Sequence, residues 1–193
     1  MVARCSLGWF GVLSTARGVL RTFSPCPTER GARATLVRAL RGAELVSRCG
    51  RLVIQPAQAG PPKTDQEAAR AEAGPRPRRI LASTVKHLRS FFDGKRETFK
   101  GIPLDMRGLG RFARAVYTAA RAVRYGETVS YGEMAAHAGR PGAARAVGQV
   151  MARNPFFPVV PCHRVIGHDG RMCGFGGPGG IRRKKRLLAV ESG

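Results

Sequence analysis

The sequence predicts an α+β fold in which a β-rich N-terminal domain, residues 1–105, precedes a helical C-terminal domain, residues 106–193, with a winged helix-turn-helix. Runs of β-branched and apolar residues around a glycine turn near the start of the chain indicate strands. Apolar residues at helical spacing dominate the second half, where two short segments meet at a Gly-Arg-Pro turn. A length of 193 residues suffices for two small domains.

The N-terminal domain begins with a predicted β-hairpin. Its two apolar runs, 7–15 and 19–25, flank a glycine-containing turn. Thr28 is a suitable N-cap for a helix that extends to about Arg41, and a third strand is expected at 45–54.

A segment without apolar periodicity follows at about 55–78, where Pro, Ala, Gly and charged residues predict a solvated loop or linker. After it, apolar residues on one helical face predict a helix over 80–92. These residues are Leu81, Val85, Leu88 and Phe92.

The C-terminal domain opens with an amphipathic helix predicted over 110–124. The segment Ser130–Glu133 is a capping box, which starts a short helix that stops at Gly139. Pro141 favours a second helix at 142–152, because proline is preferred in the first helical turn. Two short helices across a tight turn predict a helix-turn-helix.

Three prolines in the segment 154–161 exclude a helix and predict an extended apolar connection. Strands at 164–168 and 171–175 would flank an Asp-Gly turn, a strong hairpin signal, and form a small β wing. A glycine-rich loop at 176–180 then leads into a last helix, 181–191, that is rich in Arg and Lys.

The second helix of the pair has two different faces. Arg145 points to the side opposite the apolar residues, next to Ala144 and Gly148, whose small side chains let the helix backbone approach a surface closely. This face predicts either an ordinary surface arginine or a recognition helix with one projecting arginine. The face expected to pack inward consists of Ala143, Val147 and Val150.

The charge balance favours a polyanionic partner. There are 34 Lys+Arg against 12 Asp+Glu, a formal net charge of +22 at pH 7. Such a field attracts nucleic acid, the commonest polyanion in a cell. A composition that is rich in arginine throughout would give the same net charge without any nucleic-acid partner. The net charge alone therefore does not identify the partner.

Five cysteines occur at irregular spacings without a CxxC pair, which favours free thiols over a disulfide scaffold. Cys5, Cys26 and Cys49 lack the tight spacing of a zinc site and are interpreted as core residues, so no metal is expected. Cys173 is interpreted as a packed residue of the wing. Because no apolar run approaches the ~18 residues of a membrane span, we expect a soluble cytoplasmic protein.

Cys162 stands in the segment 161–165, Pro-Cys-His-Arg-Val. A thiolate is a strong nucleophile, and a nearby cation or base increases its fraction at neutral pH. Since adjacent side chains diverge in a strand, a water is expected to connect Cys162 with His163. A Cys-His pair alone is more often structural than catalytic.

The order of these motifs resembles the O6-alkylguanine-DNA alkyltransferase family, the methylated-DNA–protein-cysteine methyltransferases. The similarity is close from about residue 108 to residue 191 and looser over the N-terminal segment. The residues that carry it are Gly126-Glu-Thr-Val-Ser-Tyr131, Ala143-Ala-Arg-Ala-Val147, Asn154-Pro155, Val159-Val-Pro-Cys-His-Arg-Val-Ile166 and Leu187-Leu-Ala-Val-Glu191.

The resemblance implies direct DNA repair in which Cys162 accepts an alkyl group from O6 of guanine, and from O4-alkylthymine, with one reaction per molecule. His163 would act through water as the base, and Glu191 would hold its tautomer. Tyr131 would crowd the phosphate 3′ to the lesion and donate a proton to the departing guanine. The partner would be double-stranded DNA containing O6-alkylguanine, and we expect a monomer without a cofactor.

The resemblance also assigns residues that face DNA. Arg145 would enter the base stack where the flipped nucleotide stood, and Ala144 and Gly148 would lie beside it in the minor groove. Asn154 would tie the recognition helix to the active-site strand. Gly176 would belong to the loop that closes over the flipped base.

Three rival functions differ in what Cys162 does. A non-enzymatic protein that only binds alkyl lesions would lack the acceptor thiol. A winged-helix DNA-binding regulator would explain the charge but not the Cys-His pair followed by Glu191. A cysteine hydrolase would need an oxyanion-hole motif, which is not evident.

Overall fold

The computed structural model describes residues 1–15, 17–41, 77–175 and 179–192. The strands are Val2–Cys5 (β1), Gly8–Ser14 (β2), Val19–Cys26 (β3), Val129–Ser130 (β4) and Val165–Ile166 (β5). The helices are Glu29–Arg41 (α1), Pro77–Phe92 (α2), Arg111–Ala122 (α3), Tyr131–His137 (α4), Ala144–Ala152 (α5) and Gly180–Ser192 (α6). The predicted α+β class is confirmed.

The chain divides into two compact units. One consists of Met1–Lys95 with Phe99–Gly108, and the other of Arg96–Thr98 with Leu109–Gly193. The predicted strand at 45–54, most of the predicted loop at 55–78, Cys49 and Gly176 lie outside the described residues. Helix α2 begins at Pro77, so the end of the predicted loop at residue 78 is wrong by one or two positions.

The N-terminal unit is a three-stranded antiparallel sheet in the order β1-β2-β3. The pairing of β2 with β3 confirms the predicted hairpin, and β1 is an additional strand that composition did not reveal. Thr28 caps α1 as predicted, since its Oγ1 accepts a hydrogen bond from the backbone N–H of Gly31 at 3.1 Å.

Strand β2 is buried on both faces because a helix packs against each of them. On one face, Leu13 and Leu20 form an apolar cluster with Leu36 of α1. On the other face, the ring of Phe10 lies 5.3 Å from the ring of Phe92 in α2. A strand covered on both sides reads as a continuous apolar run, which is the pattern that residues 9–13 show.

A buried carboxylate fastens the segment after α2 to the sheet. The backbone N–H of Asp105 donates to the carbonyl of Val19 at 2.8 Å. Its Oδ2 accepts hydrogen bonds from Thr15 Oγ1 and Arg107 Nη2, each at 2.6 Å. The bond from Arg107 lowers the pKa of Asp105 to about 2, against the opposing effect of burial.

The C-terminal unit contains the predicted helix pair. Both hydrogen bonds of the capping box are present, from Glu133 N to Ser130 Oγ and from Ser130 N to the Glu133 carboxylate. Helix α5 begins at Ala144, two residues later than predicted, because Gly142 takes a left-handed conformation with φ of 83°. Pro141 therefore lies in the turn and not in the first turn of the helix.

Two predictions about the following segment are wrong. Residues 155–160 form turns, with a cis peptide at Phe157-Pro158, where an extended strand was expected. The predicted wing is not a hairpin but a turn, which is closed by a hydrogen bond from the N–H of Gly167 to the carbonyl of Arg171 at 2.8 Å. Strand β5 pairs instead in parallel with β4, a partner distant in sequence, and hydrogen bonds between strands do not require neighbours in the chain.

Asp105→Asn is expected to destabilise the N-terminal unit by roughly 2 kcal/mol at neutral pH, because only the folded state holds the pKa of Asp105 at about 2. A group whose pKa is lowered by folding stabilises the folded state at pH values above its ordinary pKa of 3.8. This stabilisation is lost as the pH falls toward 2. The difference between parent and variant should therefore shrink in that window. Urea unfolding followed by fluorescence of Trp9, the single tryptophan, measures it.

Glu29→Gln is the matched control, since Glu29 forms only an exposed ion pair with Arg33. A shift within about 0.5 kcal/mol is expected for it. An Asp105→Asn effect no larger than that of the control, or one that does not change with pH, would contradict this account.

Candidate active site

The candidate nucleophile lies in a single turn of 3-10 helix, Cys162–Arg164, between the proline-rich segment and β5. All of its side chains are buried, and Cys162 is 9% exposed. The turn is closed by the backbone N–H of Arg164, which donates to the carbonyl of Pro161 at 3.0 Å. The expectation that Cys162 and His163 belong to an extended strand is therefore wrong.

A buried carboxylate from the last helix binds both residues that follow the cysteine. Glu191 Oε1 lies 2.8 Å from His163 Nε2. Arg164 donates to the same carboxylate through Nε, at 2.8 Å to Oε2, and through Nη2, at 3.0 Å to Oε1. The guanidinium thus forms a two-pronged contact, a geometry that a lysine cannot reproduce.

The backbone completes the enclosure of Glu191. Arg164 Nη1 donates to the carbonyl of Val123 at 2.8 Å. Gly126 has φ of 82°, and a Cβ placed on it would lie 3.0 Å from the carbonyl oxygen of Glu191. A side chain at this position would be strained and too close, which explains the glycine that opens the segment 126–131.

The electrostatics define the charge of each member. Burial raises the pKa of Glu191, but hydrogen bonds and charge from His163 and Arg164 outweigh it and bring the pKa to about 2. Burial lowers the pKa of His163, and the contact with Glu191 opposes this only in part. At neutral pH an ionised carboxylate therefore faces a neutral imidazole, so Nε2 carries the proton and Nδ1 is the basic nitrogen.

The thiol itself is not activated at rest, contrary to the sequence-based expectation. Burial raises the pKa of Cys162, while a hydrogen bond from Asn154 and the positive charges of Lys184 and Arg183 act to lower it. The side chain of the adjacent Arg164 donates to Glu191 and to the carbonyl of Val123. A buried thiol with a raised pKa needs a base to remove its proton, and a neutral imidazole can do so.

Lys184 is a site residue that sequence reasoning missed. Its side chain is fully buried, and Nζ donates to the carbonyl of Val165 at 2.5 Å and to that of Cys173 at 3.4 Å. Nζ also lies 5.7 Å from the centroid of the Tyr131 ring. The available signal was its spacing, because Lys184 is two helical turns before Glu191 and shares its face.

Asn154 lies two residues after the end of α5 and supports the turns that lead to Cys162. Its Nδ2 donates to the carbonyl of Val160 at 2.8 Å, and its Oδ1 accepts from the N–H of Phe156 at 2.9 Å. With its hydrogen bond to Cys162, this one amide contacts both ends of the proline-rich segment.

The outer face of α5 is small and carries one arginine. Arg145 is exposed, while Ala144 and Gly148 are partly exposed. A Cβ on Gly148 would lie 3.9 Å from the ring of Tyr131, so the tyrosine borders the same face. On the inner face Val147 and Met151 are buried. Ala143 and Val150, which were also predicted to pack inward, are only partly buried.

Phe157 forms an aromatic wall that the sequence did not single out. Its ring centroid lies 5.8 Å from that of His163 and 5.7 Å from that of Phe175, both edge to face. The guanidinium carbon of Arg183 lies 5.4 Å from the same centroid. The wall therefore extends from the catalytic candidate His163 to the first turn of α6.

The other cysteines do not form a metal site in the described parts of the chain, where no group of three or more His, Cys, Asp or Glu could hold an ion. Cys5 is buried and Cys26 partly buried. Cys173 is exposed, so its interpretation as a packed residue is wrong. Within the same ranges no helix is long and apolar enough to cross a membrane.

Comparison with known proteins gives one consistent family. Residues 111–193 match the model of the 6-O-methylguanine DNA methyltransferase, DNA binding domain. A methylated-DNA–protein-cysteine methyltransferase of Mycolicibacterium paratuberculosis is 50% identical over 113 residues, which are 58% of this chain and 66% of the relative. The sequence match thus spans about two thirds of that relative.

Two solved structures match over nearly their whole length. The Mycobacterium tuberculosis protein OGT, in complex with DNA, has a TM-score of 0.62 and 30% identity over 99% of this chain and 91% of its own. An O6-methylguanine-DNA methyltransferase from Pyrococcus kodakaraensis has a TM-score of 0.57 and 26% identity, with 100% and 98% covered. With the Cys-His-Glu site and the helix pair in place, the chain belongs to the methylated-DNA–protein-cysteine methyltransferase family.

Proposed function

We propose that this protein repairs DNA by taking the alkyl group from O6 of an alkylated guanine onto Cys162, once per molecule. The observation that carries the proposal is the buried assembly of Cys162, His163, Glu191 and Arg164, in which a carboxylate fixes the tautomer of an imidazole next to a thiol. A protein that only binds lesions, or a regulator, would have no use for it.

The reaction follows from the charges of the resting site. His163 Nδ1 takes the thiol proton through a water, and the thiolate attacks the alkyl carbon in line. The S–C bond forms as the C–O6 bond breaks, and the electron pair leaves with the guanine. Tyr131, whose pKa is raised by burial and by the nearby thiols, holds its phenol proton and donates it to the departing base.

The reaction cannot repeat because its product is a thioether, a poor leaving group. The side chains that these steps require all belong to this chain, and the proposed protein is a monomer that uses no cofactor. The same attack applies to O4-alkylthymine, whose alkyl oxygen bond is chemically similar.

Access to the lesion requires a flipped nucleotide, because O6 of guanine is enclosed in a duplex. The face of α5 supports this, since Ala144 and Gly148 allow close approach and Arg145 projects beyond them. An arginine can fill the gap in the base stack, and small neighbours suit the narrow minor groove. The net charge of +22 supplies attraction to the phosphates.

Cys162→Ala is expected to abolish alkyl transfer while leaving duplex binding nearly intact, because phosphate contacts supply most of the affinity. Mass spectrometry after mixing with an O6-methylguanine duplex measures it, and the parent should gain one methyl on the Cys162 peptide even with excess DNA. Cys173→Ala is the control and should react like the parent. A methyl on Cys173, repeated turnover, or lesion binding by the parent without transfer would contradict the proposal.

Glu191→Gln is expected to slow transfer by roughly a hundredfold or more from both duplex DNA and free O6-benzylguanine, because the relay acts on the thiol itself. The parental rate should fall only below pH 6.5, since burial lowers the pKa of His163 from that value and protonation removes the base. Single-turnover rates as a function of pH measure both effects.

The control for Glu191→Gln is Glu127→Gln, which neutralises an exposed carboxylate of the same unit and should leave the rates unchanged. Circular dichroism establishes that both variants fold, because a buried Arg164 without its carboxylate is destabilising. A folded Glu191→Gln protein with parental rates would show that the relay plays no part.

Arg145→Ala is expected to slow repair of duplex DNA by about tenfold or more, yet to react with free O6-benzylguanine at close to the parental rate, since a free base needs no flipping. Arg153→Ala removes another exposed arginine next to the same helix and is the control. The rates are compared at fixed salt. Equal slowing of the free base and the duplex by Arg145→Ala would mean that Arg145 is structural.

A further inference from the structure

Tyr125 is an aromatic residue beside the site that the proposed reaction does not use. It lies three residues after the end of α3 and is partly buried. Its ring centroid lies 5.6 Å from the guanidinium carbon of Arg164, and its hydroxyl donates to the carbonyl of Val190 at 3.2 Å. Arg164 binds Glu191, and Val190 directly precedes Glu191 in α6. One side chain therefore contacts one member of the buried ion pair and the backbone next to the other.

The backbone on both sides of Tyr125 is attached to the same ion pair. The carbonyl of Val123 accepts a hydrogen bond from Arg164 Nη1 at 2.8 Å. The N–H of Gly126 donates to Glu191 Oε2 at 3.4 Å. The segment 123–126 thus contacts the arginine and the carboxylate through its main chain, and Tyr125 adds the contact of a side chain.

The ring of Tyr125 covers a part of Arg164 that the hydrogen bonds leave open. Nε, Nη1 and Nη2 all donate in the plane of the guanidinium, so its flat faces remain for an aromatic ring. The exposed guanidinium of Arg96 lies near the same ring, 5.3 Å from its centroid. The side chains of Arg164 and Glu191 are only 7% and 2% exposed, and the ring belongs to the cover that keeps water from them. An ion pair shielded in this way is stronger than one that water reaches.

We propose that Tyr125 is a positioning residue of the alkyl transfer, which holds Arg164 against the carboxylate of Glu191. Through that carboxylate it fixes the imidazole of His163. This inference rests on the proposed function and adds a residue to the same site. No bond forms or breaks at Tyr125, because it acts only through the ion pair. Without the ring, water reaches the pair, and the carboxylate orients the imidazole less well.

A pH profile separates such a role from simple support of the fold. Burial lowers the pKa of His163, and the contact with Glu191 opposes this in part. The positive charges of Arg164 and Lys184 add to the lowering. Water admitted to the pair moves the pKa of His163 back up toward its ordinary value of 6.5, so the base is protonated at a higher pH. A protein that is merely destabilised would contain fewer reactive molecules, but those molecules would keep the parental profile.

The test measures single-turnover rates with free O6-benzylguanine from about pH 5 to pH 8, the range in which an imidazole titrates. The free base needs no flipping, and rates are taken per reactive molecule, counted from the benzyl group gained by the Cys162 peptide. Tyr125→Leu is expected to lower the rate about tenfold at neutral pH and to move the inflection of the profile upward. Tyr125→Phe keeps the ring and loses only the exposed bond to Val190, so it should recover most of the rate and the parental inflection.

Phe112→Leu is the matched control. The ring of Phe112 lies 5.2 Å from the guanidinium carbon of Arg140, so this variant removes another contact between a ring and an arginine in the same unit. It should leave the rate and the inflection unchanged. If circular dichroism shows that Tyr125→Leu does not fold, Tyr125→Met takes its place, since it keeps a longer apolar side chain without a ring.

A double variant tests whether Tyr125 acts through the ion pair. Glu191→Gln already removes the pair, so Tyr125→Leu added to it should slow transfer by less than about twofold, although it slows the parent about tenfold. Two changes that act on one contact do not add, whereas changes at independent sites do.

Four results would overturn the proposal. A parental inflection in Tyr125→Leu would show that the residue only supports the fold, and an equal loss in Tyr125→Phe would show that the ring is not what matters. A full loss of rate on top of Glu191→Gln would place the action of Tyr125 elsewhere. The same upward shift in Phe112→Leu would mean that any lost ring loosens the unit. In each of these cases a parent that transfers the alkyl group retains the proposed function, whereas a parent without transfer would remove both.

Discussion

The buried carboxylate of Glu191 joins the last helix to the 3-10 turn that carries Cys162, and the other contacts of the site depend on this connection. It binds His163 and Arg164 from the 3-10 turn, and through Arg164 it is connected to the carbonyl of Val123 after α3. Removing one partner from a buried ion pair costs about 3–5 kcal/mol, because the other is left uncompensated. The same contact that joins the last helix to the turn therefore also determines which nitrogen of the imidazole is basic, so stability and chemistry cannot be separated here.

The resting site keeps the thiol of Cys162 protonated at neutral pH. Burial raises the pKa of Cys162, and the cations Lys184 and Arg183 moderate this without reversing it. A buried protonated thiol is protected from adventitious oxidants and electrophiles, a protection that suits the single reaction per molecule that we propose. Such a thiol depends on a base, and we propose His163 for this role because burial lowers its pKa and keeps it neutral.

The two sides of α5 differ: one packs against the rest of its unit, and the other is the face that we propose contacts DNA. Val147 and Met151 are buried against the unit, and Tyr117 donates from its hydroxyl to the carbonyl of Val150 at 3.0 Å, which fixes the helix in place. The outer side is small apart from Arg145 and borders Tyr131. Asn154, just after the helix, connects it by hydrogen bonds to the backbone of the segment before Cys162.

Local rules in the sequence were enough to determine the capping box at Ser130, the cap at Thr28, the β2–β3 hairpin and the outward direction of Arg145, because each depends on residues a few positions apart. The motif order and the family resemblance also singled out Cys162. Only the tertiary structure decided that β5 pairs with β4 and not with its neighbour in a hairpin, since strands choose partners across the chain. It likewise decided that the charges of Lys184 and Arg183 act to lower the pKa of Cys162, while the adjacent Arg164 binds Glu191. Electrostatic effects depend on distance in space and on burial, and neither of these can be read from closeness in the sequence.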